Sequence, residues 1–454
     1  MKRFHRTGKA GRAGGVLVAC LVVRLLSAAS PSAADEAFKQ FWAAANPEEA
    51  AKAADDVVKS GMAFDEAFAQ LRHGRTYASD VLKGVVRLKH HFALGDFWYS
   101  VEVPQDYNPA RAYQVRVQLH GGVGGRDNGQ IRGTGSIGAL EGVDQIYVMP
   151  TSWNDAPWWS DSQIKNLRAI LDTVKRMYNV DENRINMAGV SDGATGTYFF
   201  AMRDTTPYSS FESLNGSLGV LQNPTIGRDG ALFPQNLLNK PYFIINGGLD
   251  PLYPTDSVEP YINHLKSTGV EIVYRPEADG EHNTKWWPDE KDAFESFVSD
   301  HPRKPYPDRL TWESDLAGDV KRAHWVVIND VANKVDSRDP LPDVNIFVSP
   351  NRDDPLERIP PLPLFPSRKI VGRVDLERKG NMVTATTRSI AEFTLLLSPD
   401  VFDFDKPIKV VADGKTVFEG KVKKSLETLM KWAARDNDRT MLFGAELDIK
   451  LPAR

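Results

Sequence analysis

The chain has 454 residues, 41% hydrophobic and 26% charged, with a formal net charge of −4; this is an ordinary globular balance, and the length suits two domains with attachments. Six Lys or Arg and no acid fall in the first 34 residues, so the remainder carries −10, which argues against nucleic acid or an anionic membrane surface as the main partner. The one cysteine, Cys20, lies in an N-terminal apolar run, so disulfides and cysteinyl-metal chemistry are excluded from the rest of the chain.

Lys2, Arg3, Arg6, Lys9 and Arg12 precede an apolar run from Gly14 to Ala29, and Ser32-Ala33-Ala34 offers a cleavage site before Asp35. That order reads as an export signal over residues 1–34 and predicts a secreted or periplasmic protein. Leu17-Val18-Ala19-Cys20 has the order of a lipoprotein box, but apolar Leu21-Val22-Val23 continues past it, so the match is read as accidental. No later segment is apolar enough to span a bilayer. Residues 35–80 carry apolar side chains at helical spacing (Phe38, Phe41, Trp42; Phe64, Ala67, Phe68, Leu71) and predict two or three short helices acting as a cap or brace.

Residues 81–302 alternate. Phe97 to Val103, Tyr113 to Leu119, Gln145 to Met149, Arg184 to Ala188, Pro241 to Asn246 and Val270 to Tyr274 read as strands. Ser162 to Tyr178, Ala194 to Arg203, Ser257 to Ser267 and Glu290 to Ser299 read as helices. The alternation predicts an α/β fold with a mostly parallel sheet wound on both faces. A Pro-rich linker runs from His301 to Pro307, and residues 308–454 return short strand-like runs with one late helix near Ser425 to Ala433, predicting a β-sandwich-like accessory domain.

Gly189-Val190-Ser191-Asp192-Gly193 follows a predicted strand and precedes a predicted helix. A tight turn there exposes the serine hydroxyl at the strand end, and the flanking glycines let neighbouring backbone pass closely. A serine needs a base. Of the histidines that follow, His264 is mid-helix and His301 opens the linker, whereas His282 sits in a loop just after a strand. Asp250, after Asn246-Gly247-Gly248, is the expected acid, with Asp256 the competitor; Asp279 and Glu281 are too close to His282 in sequence. The order Ser191, Asp250, His282 is that of α/β-hydrolases. The backbone N–H of Asp192 and that of Gly122, in His120-Gly121-Gly122-Val123-Gly124-Gly125, are the expected oxyanion donors. That glycine run lacks the Lys-Ser/Thr of a phosphate cradle.

Val180-Asp181-x-x-Arg184-Ile185-x-Met187-x-Gly189-x-Ser191-x-Gly193, with the loops at Gly122, Asp250 and His282, resembles the nucleophile region of secreted esterases. These are the ones grouped with polyhydroxybutyrate depolymerases, feruloyl esterases and prolyl-oligopeptidase-like "predicted peptidases". Phe402-Asp403-Phe404-Asp405-Lys406-Pro407 and Asp413-Gly414 resemble the β-rich tail of some bacterial members. Asp192 departs from the Met or Gln often found there, which bears on substrate class. Trp158, Trp159, Trp286 and Trp287, with Trp153, fall on loops near the predicted site, either as core or as a platform for an aromatic acyl group or sugar. The expectation is a serine hydrolase cleaving small or polymeric carboxylic esters without cofactor or metal. A serine peptidase on the same triad and a noncatalytic binding protein are the alternatives.

Overall fold

The computed structural model describes residues 33–124, 140–223, 232–332, 347–348, 362–363 and 371–452. The predicted export signal and Cys20 therefore lie outside the described residues, except for its last two positions. Eight strands form one mixed sheet: β1 (Gly84–Phe92), β2 (Gly95–Val103), β3 (Tyr113–Leu119), β4 (Ile146–Pro150), β5 (Val180–Val190), β6 (Phe211–Leu214), β7 (Tyr242–Gly247) and β8 (Ile272–Glu277). Their order is β1-β2-β4-β3-β5-β6-β7-β8. The β1/β2 and β2/β4 pairs are antiparallel and every pair from β4 to β8 is parallel.

Two strands, β1 and β6, are not expected from the sequence, each for a physical reason. β1 is an edge strand whose side chains are mostly half-exposed, so no buried face marks it. β6 has only four residues and buries Glu212 among them. The central strands are buried on both faces, as parallel strands covered by helices must be.

Helices α1 (Ala33–Ala43), α2 (Pro47–Lys59) and α3 (Phe64–His73) precede the sheet. Asn46 caps α2, accepting the Glu49 N–H while Pro47 takes the first helical position, where a missing N–H costs nothing. The connections of the parallel strands are α4 (Asp161–Met177), α5 (Asp192–Arg203) and α6 (Thr255–Ser267), and α7 (Trp287–Asp300) follows β8. From Gly193 to Arg203 every residue of α5 is buried. It holds the turn before it inside the core.

Beyond the linker come β9 (Arg309–Ser314), β10 (Arg322–Ala323), β11 (Val326–Val331), β12 (Phe347–Val348), β13 (Leu362–Pro363), β14 (Gly372–Lys379), β15 (Met382–Arg388), β16 (Ile390–Leu397), β17 (Ile408–Ala412), β18 (Lys415–Gly420), α8 (Leu426–Asp436) and β19 (Ala445–Lys450). They make a five-stranded sheet, β18-β17-β15-β14-β9, a four-stranded sheet, β10-β11-β16-β19, and the pair β12/β13. Among the strand-like runs of this segment is Asn345 to Val348, of which residues 345 and 346 lie outside the described residues. Asp413 and Gly414 both take positive φ (49° and 78°) between paired Ala412 and Lys415, the backbone that a two-residue Asp-Gly hairpin requires.

This segment does not stand apart from the eight-stranded sheet. Trp312, Trp325 and Phe393 share one continuous core with Tyr198, Phe211 and Tyr242. Asn236 and Asn239, on the loop before β7, bond the backbone of β9 at Glu313 and Thr311. A second core joins the two ends of the chain, Phe38, Ala54 and Leu71 packing on Leu429, Met430 and Ala433 of α8. Among the described residues no helix is long and apolar enough to cross a membrane.

Candidate active site

Ser191 sits between β5 and α5 with φ 56° and ψ −117°, a backbone that a side-chain-bearing residue holds only when its surroundings enforce it. Two glycines make that turn possible. A Cβ on Gly189 would lie 2.1 Å from the Gly193 carbonyl oxygen, and one on Gly193 would lie 2.2 Å from that of Leu119. Ser191 N–H donates to Leu214 O on β6 at 2.9 Å, pinning the turn to the neighbouring strand.

Asp250 and His282 come from the loops after β7 and β8, and glycines again decide how closely these approach. A Cβ on Gly247 would meet Gly280 O at 2.2 Å, and one on Gly248 would meet Ala278 O at 2.3 Å. The loop after β7 instead donates two backbone bonds, Gly248 N–H to Glu277 O at the end of β8 at 2.7 Å and Leu249 N–H to Gly280 O at 2.9 Å. His282 Nδ1 then lies 2.7 Å from Asp250 Oδ2, and Nε2 lies 3.0 Å from Ser191 Oγ. A carboxylate accepts only, so the Nδ1 proton faces Asp250 and Nε2 is the acceptor presented to the serine hydroxyl.

The side chain of Asp250 is fully buried and that of His282 one-quarter exposed. Oδ1 of Asp250 also accepts the N–H groups of Leu252 and Tyr253 at 2.8 and 3.0 Å, so both oxygens are fixed. Asp256 is exposed on the first turn of α6 and has no bond to His282. Asp279 and Glu281 are likewise exposed.

The loop after β3 lies against the serine. A Cβ on Gly121 would be 3.0 Å from Ser191 Cβ, and Gly122 has φ +67°. Asp192 contributes a bond that its place in the sequence does not announce, its Oδ2 accepting the Val123 N–H at 2.7 Å. His120 completes the loop. Its Nε2 accepts the Ser152 N–H at 3.0 Å, its Nδ1 lies 2.9 Å from Gly121 O, and its own carbonyl accepts Trp158 Nε1–H at 2.8 Å.

Of the two readings of the tryptophans, core or platform, burial favours core for Trp158, Trp159 and Trp286. Trp158 is wholly buried beneath the loop, and Trp159 is 8% exposed in the main core. Trp286 is 6% exposed and packs with Phe243 and Phe294. These indoles are spent on packing and present almost no face to a ligand. Trp287 is half-buried, its edge on Phe294 and its N–H donated to Glu141 O at 3.2 Å; Trp153 packs on Phe97.

Three residues near the triad carry no motif. Asn246, fully buried, donates to Gly216 O at 3.1 Å and Tyr253 O at 3.3 Å, tying the Asp250 loop to the one after β6. Asn215, at φ 50°, donates to Asn283 O at 2.6 Å and so holds the His282 loop. The Tyr253 ring lies 5.8 Å from the imidazole, and its pKa is raised by burial and by the Asp192 and Asp250 charges. The legible signal for Asn246 is a polar residue ending an otherwise apolar strand. Tyr253 and Asn215 offer none.

Strand order, the strained serine turn after β5, and residues after β7 and β8 bonded to it in series belong to the α/β-hydrolase fold. No family model and no curated protein matches the sequence. Among solved structures the chain is similar to a thermostable esterase (19% identity, TM-score 0.39), covering 48% of this chain and 63% of that one. It is also similar to a ferulic acid esterase (17%, TM-score 0.38; 48% and 98%) and to Thermogutta terrifontis esterase 2 phosphorylated by paraoxon (14%, TM-score 0.40; 48% and 94%). This chain thus spans less than two thirds of the thermostable esterase.

Proposed function

We propose that the protein is a serine hydrolase acting on carboxylic esters through Ser191, His282 and Asp250. The observation that carries this reading is the unbroken series Ser191 Oγ, His282 Nε2, His282 Nδ1, Asp250 Oδ2, with links of 3.0 and 2.7 Å, on a turn whose φ is 56°. Ser191 Oγ attacks the ester carbonyl while His282 Nε2 takes the hydroxyl proton, and Asp250 steadies the imidazolium so formed. The carbonyl oxygen becomes an oxyanion in front of the N–H groups of Asp192 and Gly122. As the tetrahedral adduct collapses, the ester C–O bond breaks and His282 returns the proton to the departing alcohol. Water, deprotonated by the same nitrogen, then attacks the acyl-enzyme, freeing the acid and restoring Ser191.

Two further parts belong to the proposal. Residues 308–454 act as a β-rich accessory unit without a group at the reaction centre; their one histidine, His324, is buried and bonded to Pro305 O at 3.0 Å. Residues 1–34 direct export, which fractionation of cells making the full chain tests. The activity is tested by turnover of a nitrophenyl ester beside an aminoacyl anilide of matched acyl size. Ester turnover that vanishes in Ser191→Ala supports the reading. Faster anilide turnover points to a peptidase, and turnover of neither by the folded protein overturns it.

A further inference from the structure

Away from Ser191, and sharing no residue with its site, a cavity of about 530 Å³ opens where three parts of the chain meet. Pro47 at the start of α2 forms one wall, Ala169 and Leu171 of α4 another, and Pro207 and Met441 complete an apolar interior. Most of the remaining lining is charged, with Asn46, His90, Thr173 and Thr206 beside it, and the pairing of the charges is uneven. Arg168 is bound in two-pronged fashion by Asp204, and Arg322 by Asp436. Arg303 pairs with Asp438 at 2.7 Å, and Asp172 is taken by Arg176. Each carboxylate of the group is therefore committed to a partner.

Two cations are left over. Lys175 makes one hydrogen bond among the described residues, to the Asp436 carbonyl at 2.7 Å, and lies in the field of the Asp438 carboxylate. Arg435, exposed at the cavity mouth, makes no hydrogen bond or ion pair among the described residues. Its guanidinium rests on the Trp432 ring at 4.9 Å, and Arg322 lies over the same ring at 4.7 Å. Desolvation and the nearby Arg322 and Arg168 guanidinium groups hold the Arg435 pKa below the ordinary arginine value, against the pull of the Asp436 and Asp204 carboxylates. A guanidinium fork at the edge of this cavity, beside a second cation and in no ion pair among the described residues, matches a carboxylate in shape and charge.

We infer that this cavity is a binding site for a small amphiphilic monocarboxylate, its carboxylate on Arg435 and Lys175 and its apolar body against Leu171, Pro207 and Met441. One free fork calls for one carboxylate. The apolar interior selects against a bare inorganic anion, which would leave that surface uncovered. Because the walls come from α2, α4 and the stretch after α8, an occupant bridges the N-terminal helices, the sheet and the C-terminal segment, and stabilises the folded chain by mass action.

The test is calorimetric titration of full-length Ser191→Ala protein, so that turnover plays no part, with 4-phenylbutyrate as probe. 4-Phenylbutanol and inorganic phosphate are the controls, and thermal melts run alongside. Binding is expected for 4-phenylbutyrate, with a rise in Tm. It weakens about tenfold or more in Arg435→Gln, the loss expected for a charge-assisted pair. It is lost in Ala169→Phe, which fills the apolar part while leaving every charge in place. Arg435→Gln should melt like its parent without ligand, since that side chain bonds only to a ring. No binding of the carboxylate, equal binding of the alcohol or of phosphate, or undiminished binding in Arg435→Gln overturns the inference. None of these outcomes depends on whether Ser191 is a nucleophile.

Discussion

Replacing Asp192 by Ala removes the oxygen that accepts the Val123 N–H at 2.7 Å, the side-chain bond joining the serine turn to the loop after β3. A hydrogen bond to an ionised carboxylate contributes about 1.5–3 kcal/mol. If that energy serves to hold the Gly122 N–H against the developing oxyanion, its loss appears in the transition state and hardly at all in ground-state binding. The expected result is a kcat for a nitrophenyl ester lowered about 10- to 100-fold with KM nearly unchanged. Asp192→Asn keeps an acceptor oxygen and should recover most of the rate. A kcat within twofold of the parent in Asp192→Ala refutes the positioning argument. An Asn variant as slow as the Ala variant shows instead that the charge itself is what matters.

Asp250→Asn should cut turnover by orders of magnitude, since it spoils the partner of His282 Nδ1 at 2.7 Å, while Asp256→Asn should stay near the parent; the reverse ranking in the same assay moves the acid. Gly193→Ala should cost about 1–3 kcal/mol or more in urea melts, because its Cβ would lie 2.2 Å from the backbone oxygen of Leu119, which cannot rotate away; a melt like that of the parent contradicts the steric reading. Glu212 is buried in β6, where burial raises its pKa to about 7 despite bonds from Ser210 and Asn186. Its folded pKa lies above its unfolded one, so its contribution to stability is complete below about pH 4.5 and is lost as pH rises through 7, a change of roughly 3 kcal/mol. Part of that loss has already occurred at pH 5, so unfolding free energies at pH 5 and pH 8 should differ by about 2.5 kcal/mol less in Glu212→Gln, and an unchanged difference rules the assignment out.

The residues read as catalytic from the chain are those the structure brings together, because the signals that mark them are backbone constraints. Gly189, Gly193, Gly247 and Gly248 are each demanded by a contact under 2.5 Å, so they cannot vary without breaking the site, and they point to Ser191 and Asp250. Of the strands buried on both faces, β7 is legible as an apolar run and β3 as a strict apolar–polar alternation, whose Arg116 and Gln118 are buried all the same. The edge strand β1 and the four-residue β6 are not, because pairing with neighbours rather than their own pattern makes them strands. The side-chain grips are illegible for a related reason. Asn215, Asn246 and the Asp192 carboxylate act across long sequence separations, on partners no local spacing reveals. The tryptophans mislead because an indole on a loop is equally a ligand platform and a core plug, and burial alone decides.

The central claim is that Ser191 is a nucleophile activated by His282. Reaction of the full-length protein with a fluorophosphonate, followed by digestion and mass spectrometry, addresses it most directly. A single adduct is expected on the peptide carrying Ser191, absent in Ser191→Ala and formed orders of magnitude more slowly in His282→Gln. An adduct on another residue, an equal rate in His282→Gln, or no adduct on folded protein contradicts it.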